Sequence, residues 1–374
     1  MIYFDCAATV MPYQETIDTY VKLSKDYFAN SASNHGLGYL SSNMLEKARG
    51  QIAKYLKVSS DEVYFTSGAS EGNNLAIKGV ANHNKGWAKR IITTKAEHPS
   101  VSKVFEELEN EGFEVIYIDY DKYGKLNLKQ LEDSINEHTS LVSIMAVNNE
   151  VGYIFPIHEI HEIVKKSKAV LHVDATQAIG KEELSSLDYE LMTFSGHKIG
   201  GLKGSGVLIK KKGIEIKPLI VGGDQEKGLR AGTSAMNLDC SLATALRISL
   251  NNQNERRKKA ALLNEYLRNE LSKIDEVVIT SPINATPFIL SFALREHKGS
   301  VIAEALSNEE IYVSTKSACS SREAGYSSVL FNAGFDENIS SNSIRLSFSG
   351  NEDIKEGEIF IDKLKKILDE IKVR

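Results

Sequence analysis

The chain has 374 residues, of which 42% are hydrophobic and 25% charged, with a formal net charge of −5. That length exceeds the size at which one hydrophobic core usually stops growing, so two domains are expected, with the composition of an ordinary globular protein. The negative balance argues against a nucleic-acid binder, which normally carries a basic face.

No apolar run reaches the length needed to cross a bilayer, so no membrane association is expected. The opening "MIYFDCAATV" lacks the basic-then-apolar order of a signal peptide. Three cysteines, Cys6, Cys240 and Cys319, show no CxxC spacing and cannot all pair with one another. A cytoplasmic location is therefore expected.

From about residue 60 to 210, short β-rich runs alternate with helical patterns. The predicted strands are "VYFT" (63–66), "RIITT" (90–94), "EVIYI" (114–118), "LVSIMAV" (141–147), "AVLHV" (169–173), "LMTF" (191–194) and "GVLI" (206–209). Helical periodicity over 101–112 and 157–167 lies between them. Near-continuous apolar strands separated by helices predict a mainly parallel sheet covered on both faces. Helices then dominate from about 238 to 275. The cluster "ERRKK" (255–259) opens one of them, with Leu263, Leu267, Leu271 and Ile274 at helical spacing, and reads as a solvated helix face. Strands at 277–280, 287–294 and 343–350 and helices at 300–308 and 358–371 complete a smaller α+β unit. The expected division is a large domain over 13–249, with 1–12 and 250–374 forming the small one.

Ligands of open α/β sheets bind beyond the carboxyl ends of the strands. After 63–66 comes "SGASEGNNLAIKGV" (67–80), small residues leading into a helix, which is an anion site suited to a phosphate or a plain helix cap at Ser70. After 90–94 comes His98, and after 141–147 comes Asn149. Asp174 follows 169–173, with Gln177 three residues on. Either it caps the next helix or it serves a ligand. After 191–194 comes "SGHKIGG", with Ser195, His197 and Lys198. Alone, that lysine reads as a solvated turn. "HEIH" (158–161) has the spacing of a metal pair but no further ligand, and reads as helix surface.

One cofactor asks for all these strand ends together. Pyridoxal phosphate needs a lysine amine, an acid for its pyridine nitrogen and an anion site for its phosphate. It also needs a flat group against the ring and a donor for its phenolic oxygen. Lys198, Asp174, the 69–70 turn with Ser195 and His197, His98 and Gln177 supply that set.

With "YFDCAATVMP", "SGASEGNNLAIKG", "EHPSV", "NNEVG", "HVDATQAIGK", "SGHKIGGLKGSG", "GGDQEKGLRAGT", "SACSS" and "SIRLSFSG" in this order, the chain resembles the cysteine desulfurases. These belong to the class V aminotransferase group of fold-type I pyridoxal-phosphate enzymes. The resemblance implies an α/β fold with a large, mainly parallel cofactor domain and a small α+β domain. It implies that Ala69, Ser70, Ser195 and His197 line the phosphate site, with Asn149 also near the cofactor. Thr233 would reach the phosphate held by a second subunit, so a homodimer is implied. Arg345 would grip the substrate carboxylate, with Asn30 and Asn149 close by. No metal is implied.

The sequence departs from that pattern at Ser31, where proline is usual, at Gly196 and Ala231, where serines are common, and at Cys6. The segment "STKSACSSREAGYSS" (314–328) is polar, rich in small residues and flanks Cys319 with Lys316 and Arg322, conditions that favour a reactive thiolate. Cys6 and Cys240 lie in apolar surroundings and read as core. The implied reaction turns L-cysteine into L-alanine and leaves the sulfur on Cys319 as a persulfide. In it Lys198 moves protons, His98 stacks on the ring and takes the substrate thiol proton, and Cys319 attacks the sulfur. The sulfur would pass to an iron–sulfur scaffold or a tRNA-thiolation protein. The rivals are a selenocysteine lyase or class V aminotransferase on the same scaffold, and a non-catalytic sulfur-transfer scaffold protein.

Overall fold

A computed structural model describes residues 1–183, 187–315 and 325–372. The strands are β1 (Ile2–Tyr3), β2 (Val63–Thr66), β3 (Arg90–Thr94), β4 (Glu114–Ile118), β5 (Thr139–Ser143), β6 (Val170–Asp174), β7 (Leu191–Ser195), β8 (Gly206–Lys210), β9 (Val277–Ile279), β10 (Ile289–Leu294), β11 (Ile311–Tyr312) and β12 (Ser343–Ser347). Seven form one sheet in the order β2-β8-β7-β6-β5-β3-β4. Only β8 runs against its neighbours, so the other six point their carboxyl ends the same way.

The sheet is apolar on both faces because successive side chains alternate. Ile91, Leu141, Leu191 and Leu208 pack on one side, under the helices Ala69–Asn84 and Pro99–Asn110. Their chain neighbours Ile92, Val142, Met192 and Val207 face the other side. There they meet the helices Gly36–Leu56, Ile157–Val164 and Met236–Asn251. A sheet with no polar face has to be covered twice, and that doubly wound α/β layering is the predicted fold class.

A second core is built on the antiparallel sheet β12-β10-β9. It gathers Leu263, Leu267 and Leu271 of helix Gln253–Leu271, Phe292, Phe348, and Phe360 of helix Ile354–Lys372. The N-terminus joins this core rather than the large sheet. β1 pairs in parallel with β11, and Ile2 and Phe4 pack among the same residues.

Element ends differ from the sequence reading in physically simple ways. The strand predicted over 141–147 is ladder-paired as Thr139–Ser143. Past it the backbone still donates to β6, Ile144 N to His172 O at 3.1 Å and Ala146 N to Asp174 O at 2.9 Å. The helix predicted from 101 begins two residues earlier, because Pro99 suits a first helical position and His98 caps it. The helices Gln14–Asp26 and Gly36–Leu56 have no counterpart in the sequence reading. Three glycines in the second weaken its helical signal.

Candidate active site

The carboxyl ends of the large sheet converge on a cavity of about 230 Å³. Lys198, Asp174, His98, Gln177, Asn149 and Arg345 all line it, together with Ala69, Ser70, Ser195 and His197. Residues from six segments of the sequence thus meet in one place.

Asp174 ends β6 and is 4% exposed. A carboxylate buried at a strand end needs donors, and it has two. The Thr176 N–H donates to Oδ1 at 2.9 Å, and Asn73 Nδ2 donates to Oδ2 at 2.8 Å. One strand away, Ser195 ends β7 and the tight turn Gly196–Lys198 swings the lysine into the cavity. Its Nζ donates to the carbonyls of Ala7 and Ala8 at 2.6 and 2.7 Å. A Cβ added at Gly196 would lie 2.3 Å from Ser205 Oγ, so the hydroxyl of Ser205 occupies the room that a serine at 196 would need.

One end of the cavity is the start of helix Ala69–Asn84, where the helix dipole would favour an anion. Ala69 N–H donates to Ser195 Oγ at 2.7 Å, tying the turn to the end of β7. A Cβ at Gly206 would stand 2.5 Å from Gly68 Cα, and its absence lets β8 lie this close beneath the turn. His197 stands beside it, with burial and then Lys198 pushing its ring down to about 4, so it is neutral at pH 7. Gln177 Nε2 donates to Ala7 O at 2.9 Å, and buried Lys181 donates to its Oε1 at 2.7 Å, which fixes which end of the amide faces the cavity.

Arg345 comes from the other sheet. It sits on β12, is 4% exposed, and is anchored by Nη1 to Asn149 O at 2.9 Å and Nη2 to Asp5 Oδ1 at 2.6 Å. Its Nε and the Thr176 hydroxyl, both on cavity-lining residues, are buried and have no hydrogen-bond partner among the described residues. Buried donors left unsatisfied on residues that line a cavity mark a place where a polar ligand or an ordered water would complete the bonding. Pyridoxal phosphate fits this donor set: the helix start would hold its phosphate, Asp174 its ring nitrogen, Lys198 its carbonyl carbon and Gln177 its phenolic oxygen.

Two expected residues stand elsewhere. Asn30 is exposed, does not line the cavity, and turns its Oδ1 back to accept from Ala32 N–H at 2.9 Å. Thr233 is exposed and also outside the lining. Cys319, with Lys316 and Arg322, lies outside the described residues. Cys6 and Cys240 are buried, and burial pushes both thiols up, Cys240 to about 12. His158 and His161 of "HEIH" pair with Asp188 at 2.6 Å and Glu190 at 3.2 Å, and the described residues contain no group able to hold a metal ion. Sequence reasoning missed Asp5, Asn73, Ser100 and the carbonyls of Ala7 and Ala8. None of them leaves a trace in the sequence: even Asn73 stands beside a second asparagine, Asn74, and two residues from Glu71.

The sequence matches the aminotransferase class-V family over residues 2–359. The chain belongs to that family. It is 39% identical to a "NifS/IcsS protein homolog" of Lactobacillus delbrueckii subsp. bulgaricus, covering 96% of this chain and 95% of the relative. It is 33% identical to "Cysteine desulfurase IscS" of Clostridium botulinum, covering 98% and 94%. A solved structure titled "SspA in complex with cysteine" superposes with a TM-score of 0.81 at 30% identity, covering 93% of this chain and 99% of the other. The family's cofactor is pyridoxal phosphate, and this is a pyridoxal-phosphate protein.

Proposed function

We propose that the protein is a cysteine desulfurase that converts L-cysteine to L-alanine and receives the sulfur on Cys319 as a persulfide. The observation that carries this reading is the meeting of Lys198, Asp174 and Arg345 in one cavity, an amine and an acid for the cofactor with a buried guanidinium for an amino-acid carboxylate. The relatives named as desulfurases and the relative solved with cysteine support it.

Pyridoxal phosphate, when bound, supplies an electron-withdrawing ring that lowers the barrier to bond changes at the substrate Cα and Cβ. The chain's own residues do the rest. The start of helix Ala69–Asn84, with Ser195 and His197, would bind the phosphate, Asp174 would hold the ring nitrogen, and Gln177 would donate to the phenolic oxygen. The Lys198 amine would hold the cofactor and move a proton on and off the substrate Cα. Arg345, held by Asp5 and Asn149, orients the substrate carboxylate and so its Cβ–S bond. In sum, cysteine and the Cys319 thiol become alanine and a Cys319 persulfide, which balances atoms and electrons without an added oxidant.

The working unit in this reading is a homodimer in the cytoplasm. Thr233, exposed on the single chain, would complete the partner's phosphate site. The exposed apolar side chains Phe28, Leu37 and Val221, at 75%, 51% and 79%, would be covered by that contact. Asn30 would meet the substrate only after the same contact or a local rearrangement. The acceptor would be an iron–sulfur scaffold or a tRNA-thiolation protein. The test is incubation of the purified protein with L-cysteine, with alanine and sulfide assayed in parallel. Equimolar alanine and sulfide in the presence of a reductant support the reading. Pyruvate, or transamination without sulfide, would sink it.

A further inference from the structure

His98 lines the cavity and also caps a helix. Its Nδ1 accepts the backbone N–H of Ser100 at 3.1 Å, the cap of helix Pro99–Asn110. A backbone N–H can only donate, so Nδ1 is an acceptor and the neutral ring carries its hydrogen on Nε2. Since Nδ1 is committed to the helix, Nε2 is the nitrogen left for the cavity.

The same polarity arrives from the other side. Asn73 is completely buried, and its Nδ2 divides its two hydrogens between Asp174 Oδ2 at 2.8 Å and Ser100 Oγ at 2.9 Å. Its Oδ1 accepts from the Thr193 hydroxyl. Having accepted from Asn73, the Ser100 hydroxyl keeps one hydrogen, and His98 Nδ1 lies 2.8 Å away to take it. Asn73 therefore steadies Asp174 and aims Ser100 at His98 with one amide.

A second proton on His98 would have to enter at Nδ1, hydrogen against the Ser100 N–H, at the positive end of a helix. Burial opposes it further, as do Lys198 and the neighbouring His197, while Asp174 alone favours it. The ring is held below the ordinary histidine range by burial first.

We propose that Asn73 and Ser100 are positioning residues that lock His98 as a neutral Nε2–H donor, so that it covers the ring and donates a hydrogen bond to the substrate. It is not the base that takes the substrate's thiol proton, the reverse of the role that the resemblance implies. The identity of the substrate rests on the desulfurase reading, whereas the tautomer rests on the cap and the amide.

The test reads the tautomer directly, without substrate, so it stands or falls separately from desulfurase activity. In holoprotein labelled with 15N-histidine, with His98 assigned through His98→Gln, Nδ1 should be pyridine-like and Nε2 should carry the hydrogen from pH 6 to 8. A hydrogen on Nδ1, or a doubly protonated ring at pH 7, overturns the proposal. Two variants test the chain. Ser100→Ala, at a partly exposed position, should keep the tautomer through its backbone N–H, shift the Nδ1 resonance, and leave cofactor affinity within about twofold. Asn73→Ala should weaken cofactor binding roughly tenfold or more, since Asp174 loses a charge-assisted donor. An unmoved Nδ1 resonance in Ser100→Ala, or equal cofactor affinity in the two variants, would show that the chain positions nothing.

Discussion

The two sheets bring their polar groups to the same cavity by different means. The large sheet presents Asp174 and Lys198 at the ends of adjacent parallel strands, the first held by Asn73 and Thr176 of the large domain, the second by the Ala7 and Ala8 carbonyls of the N-terminal segment. The small sheet presents Arg345 from inside an antiparallel strand, held by Asp5, which stands 340 positions earlier in the chain. Phe4, the residue before Asp5, is locked edge-to-face between Phe348 and Phe360, with ring centroids 5.3 and 5.9 Å away. Asp174 thus depends on the large sheet and Arg345 on a hydrophobic core, while the N-terminal segment that carries Asp5 also reaches Lys198 through Ala7 and Ala8. Cofactor binding and substrate binding should be separable by mutation.

The sharpest break is at Lys198. Lys198→Ala should lower alanine formation at least about 10⁴-fold, since the amine both holds the cofactor and moves the proton. Borohydride reduction followed by mass spectrometry should fix the cofactor to Lys198 in the wild type and to no residue in the variant. A label on another lysine would contradict the site.

A break in the small core should act first on the substrate side, since Phe4 adjoins Asp5 and stands further from Ala7 and Ala8. Phe4→Ala should cost about 3–5 kcal/mol of stability by leaving a cavity in that core. Below its melting transition it should raise KM while the cofactor dissociation constant holds. Arg345→Lys sharpens the same division with a smaller effect. Loss of the planar fork should lower kcat/KM about 10²-fold, mainly through KM, with cofactor affinity unchanged. A parallel loss of cofactor affinity in either variant would mean that the two sheets do not divide the work.

The large sheet also carries a pH dependence of its own. His172 on β6 is fully buried, with Nδ1 at 2.8 Å from Ser143 Oγ and Nε2 at 3.3 Å from Thr193 Oγ1, and burial lowers it from 6.5 to about 4. Its folded value lies below its unfolded one. The stability it contributes is therefore complete above about pH 6.5 and is lost as pH falls toward 4, by up to about 3 kcal/mol. Denaturant melts of wild type and His172→Asn should differ in slope over that window and run parallel above it.

How far the sequence could be read follows the same division. The seven strands of the large sheet were legible because each is a short apolar run ending in a polar residue, and the ends named Asp174, Lys198 and His98 directly. The grip on Arg345 was not legible, because Asp5 and Arg345 meet only through the folding of both ends of the chain. Asn73 was missed for a related reason: its partners Asp174 and Ser100 come from two other segments, and nothing in "SEGNN" marks which asparagine turns inward. The helix Gly36–Leu56 was hidden by its glycines, whose weak propensity is overridden by packing against helix Met236–Asn251.

The most direct test of the desulfurase account is single-turnover alanine formation by Cys319→Ser, with mass spectrometry for sulfur on the protein. Serine keeps the size of cysteine but offers no thiolate and cannot hold a persulfide. The variant should bind pyridoxal phosphate, change its visible spectrum on addition of L-cysteine, and release almost no alanine. Cys240→Ser, at a buried position away from the cavity, should form alanine and a Cys319 persulfide like the wild type. Alanine formed by Cys319→Ser at the wild-type rate would contradict the account and leave a lyase or transaminase acting without a protein thiol.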